Sequence, residues 1–441
     1  MKYFLRCSLF FCLALSSLCF SKSSTENIPK LRRSAVLEKM SPKGLLVLQT
    51  TASGYRFGFN FRPDSDLYYL TGLADEDLTL ILSKTGIPNT GAGVNNIHSI
   101  LLTPPPVGLS IDRDEYFARL ADSLGFDYCA SVIELRKILK QISDIDVFYN
   151  NLIRQDQQLG NSIIEKRLIQ FIQQFPQVSF TPIIQLTGSM RRIKTSEEIA
   201  LIQKAVDITI QAHQEAFKSM RPGLYEYQIE AIIEFIFKFN GAEQLAFPTI
   251  IGAGPNSLIL HYEQGMRQIQ RNDIVVMDIG CEYQHYCADI TRTIPATGKF
   301  TLEQKEIYNI VLEANQTIIA MLKPGVTMAQ MDSAARAIIG KYGYEKYIRH
   351  GCTHYLGLDV HDVGNTREPL QPGCVVTVEP GIYISPKSDL PEAYWNIGVR
   401  IEDDVLITET GSQVLSAALP KTIAEIEQIM QSEGITDLIT K

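Results

Sequence analysis

Hydrophobic positions along this chain follow two periods, and the changes between them mark its organisation. Continuous apolar runs at Leu45 to Leu48, Leu78 to Leu82 and Ile100 to Thr103 are bounded by turn residues and predict buried strands. Helical spacing covers Glu115 to Leu124 and Gly160 to Gln174. The Gly-, Asn- and Pro-rich stretch from Gly86 to Asn96 predicts a surface loop, and Thr103-Pro-Pro-Pro106 cannot continue a strand. The chain up to about residue 180 therefore reads as a mixed α/β domain.

From about Met190 the pattern becomes longer and repeats. Thr195-Ser-Glu-Glu198 fits a capping box, in which hydroxyl and carboxylate satisfy free backbone N–H groups reciprocally. A helix to about Ser219 follows, then Arg221-Pro-Gly223, then a second helix to about Asn240. One hundred residues on, Thr301-Leu-Glu-Gln304 opens a helix to Leu322, Lys323-Pro-Gly325 breaks it, and another helix reaches Lys341. Gly241 and Gly343 follow the two second helices, as left-handed C-caps require.

Each helix pair is followed by a histidine and an apolar strand carrying one acid. These strands are Asn272 to Gly280 with Asp278, and Pro372 to Gly381 with Glu379. A further strand with a second acid comes after each: Asp289 in Cys-Ala-Asp-Ile-Thr-Arg, and Glu402 in Val-Arg-Ile-Glu-Asp-Asp. The second half is thus a duplicated helix-helix-strand-strand unit, expected to form two halves across a pseudo-two-fold axis.

Bulk properties narrow the class. At 441 residues the chain exceeds one ordinary core, so two domains are expected. Its net charge of −8, without a Lys/Arg cluster, argues against a nucleic-acid partner. Lys2 and Arg6 precede an apolar run from Leu9 to Leu15, and small residues follow at Ser21, Ser23 and Ser24. That order predicts a signal peptide over residues 1–22, hence export to a periplasm or secretion. The run is too short to span a bilayer, and no later segment is apolar enough to do so. Cys129, Cys281, Cys287, Cys352 and Cys374 remain in the mature chain, an odd, scattered set that makes no disulfide framework.

The candidate chemistry rests on Asp278, Asp289, Glu379 and Glu402, each among Val, Ile, Met or Ala. Four converging carboxylates would repel unless cations lie between them, and two divalent ions balance four such charges. The alternative is separate pairing, Asp289 with Arg292 and Glu402 with Arg400. Histidines add weight: His350, His354 and His361 fall in one short run, and His261 occupies the matching place in the first repeat. His98, His213 and His285 read as structural. A mostly oxygen donor set with one nitrogen suits Mn²⁺, with Co²⁺ or Zn²⁺ as alternatives. Two such ions can activate water and polarise a carbonyl, which is hydrolytic machinery. The spacing of Cys281 and Cys287 fits no common zinc site. There is no phosphate-loop pattern, no serine nucleophile elbow, and only a fragment of a dinucleotide fingerprint at Gly252-Ala-Gly254.

Five motifs together resemble the aminopeptidase P and prolidase branch of the pita-bread metallopeptidases. They are Met-Asp278-Ile-Gly, Ala-Asp289-Ile-Thr-Arg-Thr, His350-x-x-x-His354-x-x-Gly-x-Asp-Val-His361-Asp, Val-Glu379-Pro-Gly and Val-Arg400-Ile-Glu402-Asp. The resemblance implies an aminopeptidase P-like N-terminal domain over 23–185 and a pita-bread catalytic domain over 186–441. It implies that Asp278, Asp289, His354, Glu379 and Glu402 hold two metals, and that a hydroxide between them attacks the Xaa-Pro carbonyl. Glu379 would pass the proton, His261 and His361 would contact substrate, His350 would line the proline pocket, and Arg400 would steady the acids. Phe61 to Gly72 resembles the segment that, in aminopeptidase P, lies near a neighbouring subunit's active site, which implies a homo-oligomer, dimer or tetramer. Peptides with proline in second position are the implied substrates. The rivals are a prolidase restricted to dipeptides and a non-catalytic pita-bread binding protein.

Overall fold

The structure is a computed structural model that describes residues 27–50, 61–88, 96–105, 108, 111–151, 170–171, 173–175 and 177–439. The expected signal peptide lies outside the described residues, as do most of the expected Gly160–Gln174 helix, the middle of the Gly86–Asn96 loop and Pro106.

The first half is built on a six-stranded sheet. Its order is Tyr128–Ala130, Ile97–Leu102, Thr79–Ile87, Gly44–Gln49, Val147–Asn150 and Ser179–Pro182. Gly44–Gln49 runs antiparallel to Thr79–Ile87 and parallel to Val147–Asn150, so it is covered on both edges. Both faces are covered too. Leu46 and Leu48 join one core cluster while Leu45 and Val47 join another. Alternate side chains entering different cores make the strand read as one unbroken apolar run. The predicted helix is present as Arg113–Leu124, capped by Asp112 at its start and by left-handed Gly125 at its end.

In the second half the duplicated unit takes form. Helices Ser196–Ser219 and Glu226–Phe239 make the first pair, Leu302–Met321 and Met328–Lys341 the second. Both predicted capping boxes are formed, Thr195 with Glu198 and Thr301 with Gln304. Gly241 and Gly343 take φ of 85° and 82°. Strand Ile274–Ile279 pairs antiparallel with Ile290–Pro295, placing Asp278 opposite Thr291. In the second repeat Val375–Val378 pairs with Asp403–Ile407, and the hairpin of Gly381–Ile384 with Ile397–Arg400 intervenes in sequence. The repeats meet along a seam: the Glu402 N–H donates to Thr291 O at 3.0 Å, and Thr293 Oγ1 donates to Arg400 O at 2.8 Å. This is the pita-bread arrangement, and the acids lie along its seam.

One expectation needs adjustment. Only Asp278 stands inside a strand. Asp289, Glu379 and Glu402 sit just outside strand ends, immediately before Ile290, after Val378 and before Asp403. Strand ends free a side chain from the pleat, which lets these three acids turn toward one point beside Asp278.

Candidate metal centre

Ligand atoms of Asp289, His354 and Glu402 all lie within 4.8 Å of one another. His354 Nε2 lies 3.4 Å from Asp289 Oδ2 and 3.5 Å from Glu379 Oε1, which draws Glu379 to the same spot. Asp278 borders the group through Arg400, whose Nη2 donates to Asp278 Oδ2 at 2.6 Å. The other oxygen, Asp278 Oδ1, is buried and has no hydrogen-bond partner. An orphaned carboxylate oxygen on a residue whose charge acts on Asp289 and Glu402 is the donor a cation would satisfy.

The electrostatics say the same. Burial, then the charges of Glu402, Asp278, Asp404 and Glu379, hold the Asp289 carboxyl well above its ordinary range. Glu402 is raised by burial and by Glu379 and Asp278. Burial pushes Glu379 up to about 8 despite the opposing Arg400 guanidinium. With Asp404 the cluster holds five carboxyls and one guanidinium. Four negative charges would remain if all ionised, the charge of two divalent cations. The residues fit a dimetal site.

Separate ion pairing does not occur as sketched from sequence. Arg400 takes Asp278 rather than Glu402, and Arg292 takes Asp403 rather than Asp289. Cys281 and Cys287 also stay out of the site: their thiols donate to Ala205 O and Leu358 O, and burial pushes Cys281 up to about 12. His213, His98 and His285 bond to Ile290 O, Ser83 O and Glu282, as structural histidines do.

His354 is held by its backbone N–H, which donates to Thr377 Oγ1 at 3.1 Å, and by the contact of its Nδ1 with Tyr355 O at 3.0 Å. Burial lowers its pKa to about 4, so the ring is neutral and its Nε2 can ligate. The His361 ring stands edge-on to it, centroids 4.4 Å apart. His350 Nε2 meets Tyr383 Oη at 2.7 Å, beside the acids. His261 occupies an exposed turn after Gly254–Leu258, a segment packed against strands Ile274–Ile279 and Ile397–Arg400. Among the described residues, no hydrogen bond or ion pair joins His261 or His361 to the acids.

Several residues escaped the sequence reading. Thr291 Oγ1 donates to Glu402 Oε2 at 2.7 Å and accepts from Arg400 Nε at 3.0 Å. Tyr383 Oη bridges Arg400 and His350. Asp404 Oδ2 accepts the Asp289 N–H at 3.1 Å. A signal existed for Thr291, which stands two residues after Asp289 in the same Asp-Ile-Thr-Arg motif; none existed for Tyr383.

Fold and site together define a metal-dependent peptidase, and comparison with known proteins agrees. Residues 200–409 match Metallopeptidase family M24, and residues 30–106 match the Aminopeptidase P, N-terminal domain. The chain is 33% identical over 431 residues to the Xaa-Pro aminopeptidase of Escherichia coli, covering 90% of this chain and 96% of that protein. A solved structure, Zn-substituted E. coli aminopeptidase P in complex with product, superposes with a TM-score of 0.80 at 31% identity, over 93% of this chain and 99% of that one. The Xaa-Pro dipeptidase of Pyrococcus horikoshii is 42% identical over 241 residues, 54% of this chain and 66% of that protein. The chain belongs to the M24 metallopeptidases, with an aminopeptidase P type of N-terminal domain.

Proposed function

We propose that the chain is a Xaa-Pro aminopeptidase that releases the N-terminal residue from peptides whose second residue is proline. The observation that carries this is the Asp289–His354–Glu402 cluster, ringed by Glu379 and Asp278, in a chain similar to such an enzyme over 90% of its length. Asp278, Asp289, His354, Glu379 and Glu402 would hold two divalent ions, which when bound supply Lewis acidity and an activated water. Manganese suits this donor set, with zinc or cobalt as alternatives.

The remaining work falls to the chain's own groups. Glu379 accepts the proton of the attacking water and delivers it to the leaving proline nitrogen. His361 and His261 contact the substrate backbone and steady the tetrahedral intermediate. His350, set by Tyr383, lines the proline side, and Arg400 keeps Asp278 oriented. An Xaa-Pro bond lacks an N–H and has a fixed φ, so a site that binds the free α-amino group and pockets the ring suits it.

Export by residues 1–22, to a periplasm or by secretion, rests on the charged start and short apolar run. Among the described residues no helix is long and apolar enough to cross a membrane. A homo-oligomer, dimer or tetramer, is supported by Phe235 and Phe239, which are 53% and 76% exposed on one helix.

The test is metal-stripped protein reloaded with Mn²⁺ and offered Xaa-Pro, Xaa-Pro-Xaa and Xaa-Ala-Xaa peptides. Metal-dependent cleavage of the proline tripeptide is expected. Cleavage of the dipeptide alone would make it a prolidase, the reading that the Pyrococcus likeness favours. No cleavage by folded, loaded protein would leave a binding protein.

A further inference from the structure

The loop from His354 to Asp362 carries two of the site's histidines, and its two ends are held by different parts of the molecule. Its base belongs to the catalytic half: Leu356 N–H donates to Val375 O, and Cys287 N–H donates to Gly357 O at 2.8 Å. Its tip is gripped by the segment beginning at Phe61 and by Arg191 and Lys194, which precede the first helix pair. Arg62 donates through Nη2 to Leu358 O and reaches Asp359, while its Nε donates to Glu282 Oε2 at 2.7 Å. Ser65 Oγ donates to Asp359 Oδ1 at 2.7 Å. Arg191, 3% exposed, spans Asp66 at 3.0 Å, Asp359 at 2.7 Å and Asp362 at 2.6 Å, and Lys194 adds a bond to Asp362. Asp359 and Asp362 flank His361 in sequence.

We infer that Arg62, Ser65 and Arg191 are positioning residues that clamp the tip of this loop within one chain and so set the His361 imidazole for the reaction. The segment beginning at Phe61 therefore acts on its own chain's active site. The inference rests on the proposed role of His361. His354 is held at the base of the loop by Thr377 and Tyr355 as well as touching His361, so loosening the tip displaces His361 more than the metal-ligating ring. The pairs buried on both sides, Arg191 and Lys194 with Asp362, hold geometry more than they add stability. A displacement near 1 Å is enough to cost catalysis heavily.

The experiment is a double-mutant cycle on full-length, Mn²⁺-loaded protein with a Xaa-Pro-Xaa peptide. Arg62→Met is expected to lower kcat by about 10-fold or more. KM and the Mn²⁺ dissociation constant should stay within about twofold, and Arg62→Lys should recover part of kcat. In a His361→Ala background Arg62→Met should change kcat by less than about twofold, since its effect passes through that ring. Equal losses in both backgrounds would overturn the inference. So would unchanged kcat in Arg62→Met, a fully active His361→Ala, or Mn²⁺ affinity falling in step with kcat. Should Arg62→Met not fold, Ser65→Ala removes the hydrogen bond to Asp359 together with an acceptor of Arg62 Nη1, both inside the clamp, and runs the same cycle. A wild-type chain that cuts no Xaa-Pro peptide sinks the functional reading itself, a result separable from an additive cycle in an active enzyme.

Discussion

Thr291→Val isolates what the surroundings of the metal centre contribute. The two side chains have the same shape, so the change replaces one hydroxyl by a methyl at a position with no exposed surface. That hydroxyl donates to Glu402 Oε2 at 2.7 Å and accepts from Arg400 Nε at 3.0 Å. Valine removes a bond to a proposed ligand and leaves a buried guanidinium N–H without its acceptor. A hydrogen bond to a charged group is worth about 1.5–3 kcal/mol. Loss of a partner that orients a ligand typically costs 10–100-fold in metal affinity, about 1.4–2.7 kcal/mol.

Metal-stripped wild type, Thr291→Val and Thr291→Ser would be titrated calorimetrically with Mn²⁺ at one pH. Valine should weaken binding by about 10–100-fold, and serine, which keeps the hydroxyl, should stay within about threefold. Equal affinities for valine and wild type would refute the reasoning, because Glu402 would then need no orienting bond. Serine as weak as valine would refute it differently, by tracing the effect to the methyl group and packing.

Three further outcomes follow. In metal-free protein Glu379 is raised from 4.5 to about 8, mainly by burial. The folded state therefore holds a proton that the unfolded chain releases, and this stability is complete below about pH 4.5 and lost as pH rises through about 8. Denaturant unfolding should show metal-free protein weaker at pH 8.5 than at pH 5, by on the order of 4 kcal/mol from Glu379 alone. Asp289, Glu402 and Asp404 are raised in the same direction and add to it. Mn²⁺ should abolish the difference; a flat profile contradicts proton-balanced crowding. Gly398→Ala places a Cβ 2.2 Å from the backbone oxygen of Ser257, which cannot swing aside, and should cost about 1–3 kcal/mol or more in thermal unfolding. Glu226 accepts from Ala253 N, Asn256 Nδ2, Tyr262 Oη and Arg267 N, ordering the turn that bears His261. Glu226→Gln should lose roughly 2–3 kcal/mol, and equal urea midpoints for variant and wild type would dismiss that account.

What could be read from the sequence divides by the kind of signal involved. The duplicated half was legible because capping boxes, Pro-Gly breaks and C-terminal glycines are local, and their spacing recurs. The acids were legible for a related reason: a charge within an apolar run demands an explanation. Which partner each acid meets was not, since Arg400 reaches across to Asp278, 122 residues away, rather than to its neighbour Glu402. Neighbours two apart on a strand share a face, yet strand ends turn, and there the rule fails. The contact between Arg62 and the His361 loop was equally hidden, lying 296 residues apart in the chain. Tyr383 looks in sequence like any aromatic in an apolar strand, and only the fold places its hydroxyl between Arg400 and His350.

The three consecutive acids Glu402, Asp403 and Asp404 show how fully the surroundings decide a carboxyl's role. All three are buried almost completely, so burial alone would raise each one. Asp403 instead falls below the ordinary range, because Arg292, Lys421 and Ser416 all donate to it. It stays charged and anchors the segment, while Arg292 Nη1 also donates to Glu402 O and fixes the backbone there. Glu402 and Asp404, on either side, turn toward the other acids and are both raised well above their usual values. Asp404 spends one oxygen on the Asp289 N–H and leaves Oδ1 without a partner. Alternation along an extended segment thus separates one structural charge from two that crowd the centre. The pairing of Asp403 holds the segment where repulsion between its neighbours would otherwise open it. A site that gathers acids for cations needs such a fixed charge behind it, since the unloaded state must survive until the ions arrive.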